Sequence, residues 1–440
     1  MSKEVAAAAG ATTRLSRKQW TTLLAANMGW MFDGYETYAL ILVVGVALKQ
    51  LLTPAQLPHL PFYAGALIAI TLVGWGVGGI LGGILADYIG RRRAMIVAII
   101  TYSLLTGLSA IAWSWTSLAV LRFLVGLGLG SEWGTGTAIV AEVWPDHMRA
   151  KGAGMMQSGL GIGFFIASAV WYFVGGAGPG AWRYMFLLGI LPGLGALWVM
   201  SRVEESERWQ AADQARRRAR ARRQGGAVLS EEEARYARFT LSDLWLDRRL
   251  RRLTVLASLM SLTTTLGWWG ISSWVPAYVG SLAAHLHLSP THYASIAGML
   301  YNLGAIAGYV SLGFIADAIG RRKTALLYFA ASLVLTPILF LWLHNLSWVL
   351  AATIVNGFFT LGQYTWMPVW LPEVYPTRIR GTGVAFVFNV ARFVAFLGPL
   401  LSGFIIARLG GYGIAATSVG MIYLLGIVVA FFFPETKGKP

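Results

Sequence analysis

Long apolar blocks alternate with short polar segments along most of this 440-residue chain. Each block is about 20 or more residues long, which is enough for a helix to cross a bilayer core of ~30 Å. Because only helices and closed barrels satisfy their backbone hydrogen bonds in lipid, the pattern predicts an all-α, polytopic membrane protein. The twelve predicted spans are residues 19–46, 61–86, 94–112, 116–140, 152–175, 183–202, 253–281, 291–316, 324–343, 347–371, 382–407 and 411–433.

Basic residues concentrate in alternate polar segments. The net charge is +16, and most of the lysines and arginines lie before span 1, after spans 2, 4, 6, 8 and 10, and at the C-terminus. This asymmetry is the positive-inside pattern, which predicts that both termini are cytoplasmic and that the chain crosses the cell inner (plasma) membrane an even number of times. The charge is therefore assigned to topology, and no nucleic-acid partner is expected. The absence of cysteine excludes disulfides and thiolate metal sites.

Two motifs each occur twice, at nearly the same spacing. The stretch "GGILADYIGRRRA" (82–94) returns as "LGFIADAIGRRKT" (312–324), and "AEVWPDHMRAKG" (141–152) returns as "PEVYPTRIRGTG" (372–383). The offsets, 317 − 87 = 230 and 373 − 142 = 231, predict two six-helix halves in a parallel repeat, with a substrate site between them near the bilayer midplane. The predicted units are an N-terminal tail (1–18), a first half (19–203), a polar cytoplasmic linker, partly helical (204–252), a second half (253–433) and a C-terminal tail (434–440).

These motifs carry a resemblance to a known family. The run Gly83-x-x-x-Asp87-x-x-Gly90-Arg91-Arg92 and its second copy resemble the signature loops of the major facilitator superfamily. The two Glu-x-x-Pro-x-x-x-Arg motifs and the closing "PETKG" (434–438) resemble the sugar-porter and metabolite:proton symporter branches. The stretches "DGYE" (33–36) and "GSEWGTG" (130–136) are more similar to the sialate:proton and aromatic-acid:proton symporters.

The repeated loops carry charges that are expected to hold the cytoplasmic ends of the two halves together. Asp87 and Asp317 lie beside arginines and can face the N-terminal dipole of a helix in the opposite half. The resemblance implies a latch that forms when the cavity opens outward; a topology signal combined with helix capping is the alternative. The expected gating residues are Asp87, Arg91, Arg92, Glu142, Arg149, Asp317, Arg321, Arg322, Glu373 and Arg380.

Three charged residues of the first and fourth predicted spans are candidates for proton coupling. An ionised side chain at the bilayer centre costs ~2.5–3.5 kcal/mol or more, so these residues should face the interior of the bundle. At a rise of about 1.5 Å per residue, Glu36 and Arg122 reach a similar depth, which predicts an ion pair. The resemblance implies that Glu36 carries the proton; a static ion pair is the alternative. Asp33 is expected to be a second protonation site, a substrate contact or a structural hydrogen-bonding group.

Arg392 lies near mid-bilayer in span 11, where an unpaired guanidinium is costly. Its planar fork matches a carboxylate, and aromatic-acid symporters also carry an arginine in this part of helix 11. We therefore expect a substrate carboxylate there, with a permanent ion pair to Asp33 or Glu132 as the alternative. The other expected substrate-binding residues are Asn389, Gln157, Trp268, Trp269, Tyr301, Asn302 and Tyr364.

These features favour a secondary active transporter that couples protons to the symport of a small organic anion, a carboxylate such as an aromatic, hydroxy or sugar acid, by alternating access. The open alternatives are a proton-coupled porter of sugars or other neutral solutes, an organic-cation carrier and a non-transporting receptor on the same fold. No nucleophile–base pair, metal-ligand cluster or nucleotide-binding loop is apparent, so neither an enzyme nor a metal site is expected. The expected partners are the anionic substrate, protons and the lipid bilayer; a proton gradient takes the place of any cofactor, and the chain is expected to be a monomer.

Overall fold

The chain folds almost entirely into helices. The computed structural model describes residues 15–437, so residues 1–14 and 438–440 of the two predicted tails lie outside the described part. The structure is 86% helical, and no strand occurs among the described residues. The helices of the first half are α1 (Arg17–Leu51), α2 (Leu60–Ile89), α3 (Arg91–Ser109), α4 (Trp115–Val143), α5 (Arg149–Val174), α6 (Ala181–Leu188) and α7 (Ile190–Met200).

The second half has more interruptions. Its helices are α11 (Arg248–Gly270), α12 (Val275–His285), α13 (Pro290–Ile319), α14 (Arg321–Pro337), α15 (Leu346–Thr360), α16 (Trp366–Val374), α17 (Arg380–Val390), α18 (Arg392–Ala395), α19 (Leu397–Arg408), α20 (Tyr412–Gly420) and α21 (Ile422–Phe432). Short 3-10 turns join several of them, and residues 338–342 form a π-helix.

Three further helices, α8 (Glu207–Gln224), α9 (Glu231–Ala237) and α10 (Thr240–Leu246), occupy the predicted linker. The hydroxyls of Ser206 and Ser230 cap α8 and α9, so each accepts a hydrogen bond from a backbone N–H that the first turn leaves unpaired. The linker is a folded layer against the end of the bundle where the two repeated motif loops lie, which we call the motif end.

All twelve predicted spans coincide with helical segments. Eight helical stretches are long and apolar enough to cross a membrane by length and composition alone: residues 17–51, 57–89, 146–174, 290–319, 321–342, 346–374, 377–408 and 412–432. The other four predicted spans correspond to α3, to α4, to α6 with α7, and to α11 with α12; these segments carry charges or are interrupted. The all-helical membrane fold is therefore confirmed, whereas the count of twelve spans stays a prediction.

Burial in the bundle is the inverse of that in a soluble protein. The side chains of Leu104, Phe173 and Phe404 are 61%, 80% and 68% exposed, although all three are large and apolar. Arg122 and Arg392, by contrast, are only 1% and 2% exposed. A broad exposed apolar surface marks a membrane-facing protein, and charged groups inside it must meet one another or a polar ligand.

The two halves meet along closely packed helices. Helix α5 packs on α13, and α2 packs on α17 and α19. Gly83 of α2 lies against the Gly381 carbonyl and the Ala385 side chain, and Gly313 of α13 lies against the Ala150 carbonyl. A side chain at either glycine would collide with these atoms, so the glycines are what allow the helices to approach.

Candidate functional site

Glu36 and Arg122 form an ion pair deep inside the first half. The Arg122 guanidinium donates to the Glu36 carboxylate and, at 2.6 Å, to the Ser109 hydroxyl, and it lies 4.6 Å from the centre of the Phe186 ring. The second carboxylate oxygen, Glu36 Oε2, accepts no hydrogen bond from the described residues. A cavity of about 10 Å³, close to the size of one water molecule, lies beside the pair and is lined in part by Trp269 of the second half.

Asp33 lies beside a second acid, Glu132 of α4. Both side chains are buried, and neither Asp33 oxygen accepts a hydrogen bond from a described donor. The Tyr102 hydroxyl is 3.4 Å from Glu132 Oε2, and Glu132 occupies the space above Gly29, one turn before Asp33 on α1. Because ionised carboxylates only accept hydrogen bonds, two facing acids can bond to each other only when one of them holds a proton.

Arg392 makes no ion pair with the described residues. One of its terminal nitrogens donates to the Phe388 carbonyl at 2.5 Å, and its guanidinium lies 4.1 Å and 4.5 Å from the ring centres of Phe388 and Trp75. Its Nε has no hydrogen-bond partner. The permanent ion pair with Asp33 or Glu132, which the sequence left open as an alternative, is therefore absent from this structure.

An aromatic cluster that the sequence analysis missed surrounds this arginine. The Trp133 and Phe388 rings stack at 3.6 Å, joining the first half to the second. Trp30 contacts the same two rings and Trp75, with centres 5.9–6.2 Å apart. The indole nitrogens of Trp30 and Trp75 are buried without a hydrogen-bond partner. The cluster thus combines flat apolar faces with unused N–H donors, which suits an aromatic or unsaturated carboxylate.

Four of the predicted polar ligands are buried near the interface and are partly satisfied by the protein. The Gln157 carbonyl accepts from Trp133 Nε1 at 2.9 Å, and the Tyr301 hydroxyl lies 2.6 Å from that of Thr360. The amides of Asn302 and Asn389 each donate to the carbonyl four residues earlier in their own helix, at 2.7 and 2.8 Å. Unpartnered atoms remain at Gln157 Nε2, Asn302 Oδ1 and Asn389 Oδ1.

The predicted aromatic ligands line the same interface. Trp268 stacks on Phe164 of the first half with centres 5.4 Å apart, and Trp269 lies edge-on to Trp268. Tyr364 meets Phe388 edge-on at 6.4 Å. These rings pack at the interface between the halves, and a ligand-contact role for them stays a prediction.

Asp87 joins the two halves at the motif end. One carboxylate oxygen binds Arg91 at 2.7 Å, and the other accepts hydrogen bonds from the Thr382 backbone N–H at 2.8 Å and hydroxyl at 2.6 Å. Thr382 lies in the first turn of α17, so the carboxylate meets the positive end of a helix in the opposite half. Arg91 also donates to Glu142 at 3.0 Å and to the Thr377 carbonyl at 3.4 Å.

The second copy of the motif repeats only part of this arrangement. Arg321 pairs with Asp317 at 3.1 Å and with Glu373 at 2.7 Å, but Asp317 makes no hydrogen bond to the first half among the described residues. Arg380, of the second Glu-x-x-Pro motif, does cross the interface, at 3.6 Å from Glu142. The latch is therefore asymmetric.

Three predicted gating residues make their hydrogen bonds within their own half. Arg92 donates to the Met200 and Ser201 carbonyls, and Arg322 donates to the Phe433 carbonyl. Arg149 binds the Asp146 carboxylate and the Ala141 carbonyl. In this structure these side chains hold helix ends within one half, and a gating role for them stays a prediction.

The linker supplies a bridge that the sequence did not reveal. Arg216 of α8 is buried and donates to the Asp87 carbonyl at 2.5 Å and to the Arg378 carbonyl of the second half at 3.0 Å. Trp209 Nε1 donates to the same Asp87 carbonyl at 3.0 Å. One arginine among many in a polar, arginine-rich segment carries no pattern that singles it out, so sequence reasoning had no signal for it.

A pair of glutamates, also missed, caps equivalent helices in the two halves. Glu205 accepts from the backbone N–H groups of Arg91 and Arg92 at 3.1–3.2 Å, and Glu435 accepts from those of Arg321 and Arg322 at 3.0–3.1 Å. The closing "PETKG" motif therefore has a counterpart in "EESER" (204–208), a repeat signal that the sequence contained.

The opposite end of the bundle is joined as well. Tyr172 at the end of α5 stacks on His292 at the start of α13, with ring centres 4.7 Å apart. Gly65 of α2 lies against the Pro399 carbonyl of α19. Contacts between the halves therefore occur at both ends of the bundle, and the central charged groups Glu36, Arg122 and Arg392 are buried in this structure.

Comparison with known proteins supports a transport role. The chain is 29% identical to the cis,cis-muconate transport protein of Acinetobacter baylyi, covering 86% of each chain. It is 26% identical to the sialic acid transporter NanX of Escherichia coli, covering 94% of this chain and 95% of the relative. Such relatives and the fold neighbours are transporters, which confirms the expectation that the chain is not an enzyme.

The fold matches that of solved transporters. The proton:xylose symporter XylE bound to 6-bromo-6-deoxy-D-glucose superposes with a TM-score of 0.76 at 21% identity, covering 96% of this chain and 97% of that one. The family model described as "Sugar (and other) transporter" matches residues 21–440. The chain therefore belongs to the sugar (and other) transporter family of the major facilitator superfamily and is a multi-pass membrane transporter of small molecules.

Proposed function

We propose that this transporter couples the proton gradient to the import of a small organic carboxylate by alternating access. The observation that carries the proposal is Arg392, a buried guanidinium that makes no ion pair with the described residues. One backbone carbonyl and two ring faces leave most of its five N–H donors unused. A substrate carboxylate supplies the acceptors that match this fork.

The surroundings of Arg392 favour a substrate with a flat or unsaturated body. Trp30, Trp75, Trp133 and Phe388 present ring faces and two unpartnered indole N–H groups beside the arginine. The relative that is a cis,cis-muconate transport protein supports an unsaturated carboxylate, and the sialic acid transporter supports a sugar acid. The proposed ligand-contacting set is Arg392, Asn389, Gln157, Trp268, Trp269, Tyr301, Asn302 and Tyr364.

Glu36 is the proposed proton carrier. Protonation would neutralise its carboxylate and release Arg122, which keeps only the Ser109 hydroxyl and the Phe186 ring as partners. This exchange gives the first half two electrostatic states that differ by one proton. Asp33 is the proposed second acid, because Glu132 beside it makes simultaneous ionisation of both unfavourable.

The proposed setting is the cell inner membrane, with the motif end and both termini in the cytoplasm. The positive-inside distribution of lysine and arginine supports this orientation. The two halves would move as separate bodies around the central site, and the chain would work as a monomer. The latch at the motif end would then close the cytoplasmic side.

A ligand panel on the purified protein tests the substrate class. Carboxylates, their uncharged amides, sugars and amines are scored by thermal shift, and the hits are then followed as uptake into proteoliposomes under an imposed pH gradient. We expect carboxylates to stabilise the wild type and to accumulate. Arg392→Ala should lose both effects, whereas Arg408→Ala, which changes an exposed arginine at the end of α19, just past the same predicted span, should keep them.

Other outcomes would replace the proposal. Hits restricted to sugars that Arg392→Ala still binds would make the protein a neutral-solute porter. Stabilisation by amines alone would make it a cation carrier that uses Asp33 and Glu36. Binding without uptake would identify a receptor.

A further inference from the structure

A basic cavity of about 790 Å³ opens at the motif end of the second half, away from the central site. It lies between the start of α11 and the end of α21. Arg248, Arg249 and Arg252 line it from α11, and Arg149 lines it from the first half. Among the described residues of its wall, only Glu373 is acidic.

The cations of this cavity are largely unneutralised. Glu373 is already bound to Arg321 and to the Thr436 hydroxyl. Arg149 is held by Asp146. The side chains of the three remaining cavity arginines, Arg248, Arg249 and Arg252, make no hydrogen bond or ion pair to described residues, and all three residues are exposed.

The first half has a cavity in the corresponding place, which is also basic but carries fewer cations without an acidic partner among the described residues, namely Arg17 and Arg202. This cavity, of about 480 Å³, lies between the start of α1 and the end of α7. Its Lys18 is paired with Glu204 at 3.0 Å and with Glu207 at 2.9 Å. The two cavities therefore differ in degree: the second is larger and has three arginines without an acidic partner among the described residues, against two in the first.

The basic cavity also has an apolar side that faces the membrane. Leu253, Leu256 and Phe432 line it, and α21, which ends at Phe432, belongs to one of the helical stretches long and apolar enough to cross a bilayer. On the preceding linker helix, Trp245 and Leu246 are 40% and 66% exposed. The cavity therefore combines an apolar wall next to the membrane surface with a cluster of arginines. An amphiphilic anion requires both, one for its apolar part and one for its charge.

We propose that this cavity binds the phosphate headgroup of an anionic phospholipid. The guanidinium groups of Arg248, Arg249 and Arg252 would bind the phosphate oxygens, and the acyl chains would run along Leu256 and Phe432. The site recognises a phosphate, so free inorganic phosphate shares the chemistry of the headgroup but lacks the apolar part. The cavity is separate from Arg392, so this inference does not depend on the proposed substrate.

The test compares two triple variants of the full-length, purified protein in detergent. The first is Arg248→Gln with Arg249→Gln and Arg252→Gln. The matched control is Arg218→Gln with Arg223→Gln and Arg251→Gln, which removes the same charge from exposed arginines that have no partner among the described residues and line neither of these two cavities. Binding of phosphatidylglycerol, phosphatidylcholine and inorganic phosphate is measured by native mass spectrometry and by the shift in unfolding temperature.

We expect phosphatidylglycerol to bind the wild type and the control and to raise their unfolding temperature, whereas phosphatidylcholine and phosphate have little effect. The cavity variant should bind phosphatidylglycerol on the order of a hundredfold more weakly. Its unfolding temperature without lipid should match that of the wild type, because the replaced side chains are exposed and make no hydrogen bond or ion pair to described residues. Equal lipid binding by both variants would overturn the proposal, and an equal effect of inorganic phosphate would reassign the cavity to a free anion.

Discussion

The Asp87 carboxylate of the first half accepts two hydrogen bonds from Thr382 in the first turn of a helix of the second half. Asp87→Asn removes the charge and replaces one acceptor oxygen by an amide, so we expect the motif end to open more often. The chain lacks cysteine, so spin labels attached through Arg93→Cys and Lys323→Cys report the distance between the halves without background. Asp317→Asn is the control, because Asp317 makes no described bond across the interface; equal distance distributions in the two variants would contradict the latch.

Arg216 in the linker should stabilise the same closed end. Arg216→Gln removes the guanidinium that donates to the Asp87 and Arg378 carbonyls. The loss of a buried hydrogen bond from a charged group costs about 1.5–3 kcal/mol. The labelled pair should therefore shift toward longer distances. Arg217→Gln removes the neighbouring arginine, whose side chain is 77% exposed and, among the described residues, binds only Asp213; it should leave the distances unchanged.

Glu36→Gln should separate substrate movement from proton movement. The amide cannot take up a proton, so accumulation of substrate against its gradient should stop, while exchange of labelled for unlabelled substrate across proteoliposomes continues. Glu204→Gln, which changes an exposed acid at the motif end, should retain accumulation. A Glu36→Gln protein that still concentrates substrate would show that another group carries the proton.

Arg392→Lys should weaken binding of the carboxylate without abolishing it. Lysine keeps the positive charge but not the planar fork, so the loss should be roughly 1–3 kcal/mol, as for one charge-assisted hydrogen bond. Titration calorimetry with the best ligand of the panel measures the difference. An affinity equal to that of the wild type would mean that the guanidinium does not hold the carboxylate.

Glu435 should make the stability of the motif end depend on pH. Burial alone would raise the pKa of this carboxyl, but hydrogen bonds from the N–H groups of Lys437, Arg322, Arg321 and Thr436 lower it below its ordinary value. A carboxyl with a depressed pKa stabilises the folded state above its unfolded pKa of about 4.3, and this contribution is lost as the pH falls through the lower folded value.

Glu435→Ala should therefore destabilise the protein by about 1 kcal/mol at pH 7, the usual effect of losing a helix cap, and by less as the pH falls below about 4. Unfolding temperatures across this pH range provide the measurement. A difference from the wild type that stays constant with pH would show that the charge of Glu435 is not involved.

The predictable part of the molecule follows from two strong constraints. An unpaired charge is costly in lipid, and few partners exist at a given depth. The similar depths of Glu36 and Arg122 therefore predicted the ion pair that the structure contains. Backbone N–H and C=O groups must be hydrogen-bonded within the protein when they lie in lipid. The twelve apolar blocks therefore predicted helices. Repeated loops likewise placed Asp87 opposite a helix end in the other half.

The missed features depend on packing, which leaves little trace in a single sequence. Trp30, Trp75, Trp133 and Phe388 come from four helices, and an isolated aromatic residue in an apolar block looks the same whether it packs or binds a ligand. Arg216 is one of many arginines in the linker. Glu205 is the exception: its role could have been found by extending the repeat to "EESER", which lies at the end of the first half as "PETKG" lies at the end of the second.

The positions of the helix caps Glu205 and Glu435 in the chain determine when each half can be completed during synthesis. Each glutamate lies just after the last helix of its half and accepts hydrogen bonds from the start of an earlier helix, α3 or α14, so a half is completed only when its final residues are made. The first cap needs nothing beyond residue 205 and is available while the second half is still on the ribosome. The Asp87–Thr382 bond must wait for most of the remaining chain, so the ribosome finishes the first half before it supplies this contact between the halves.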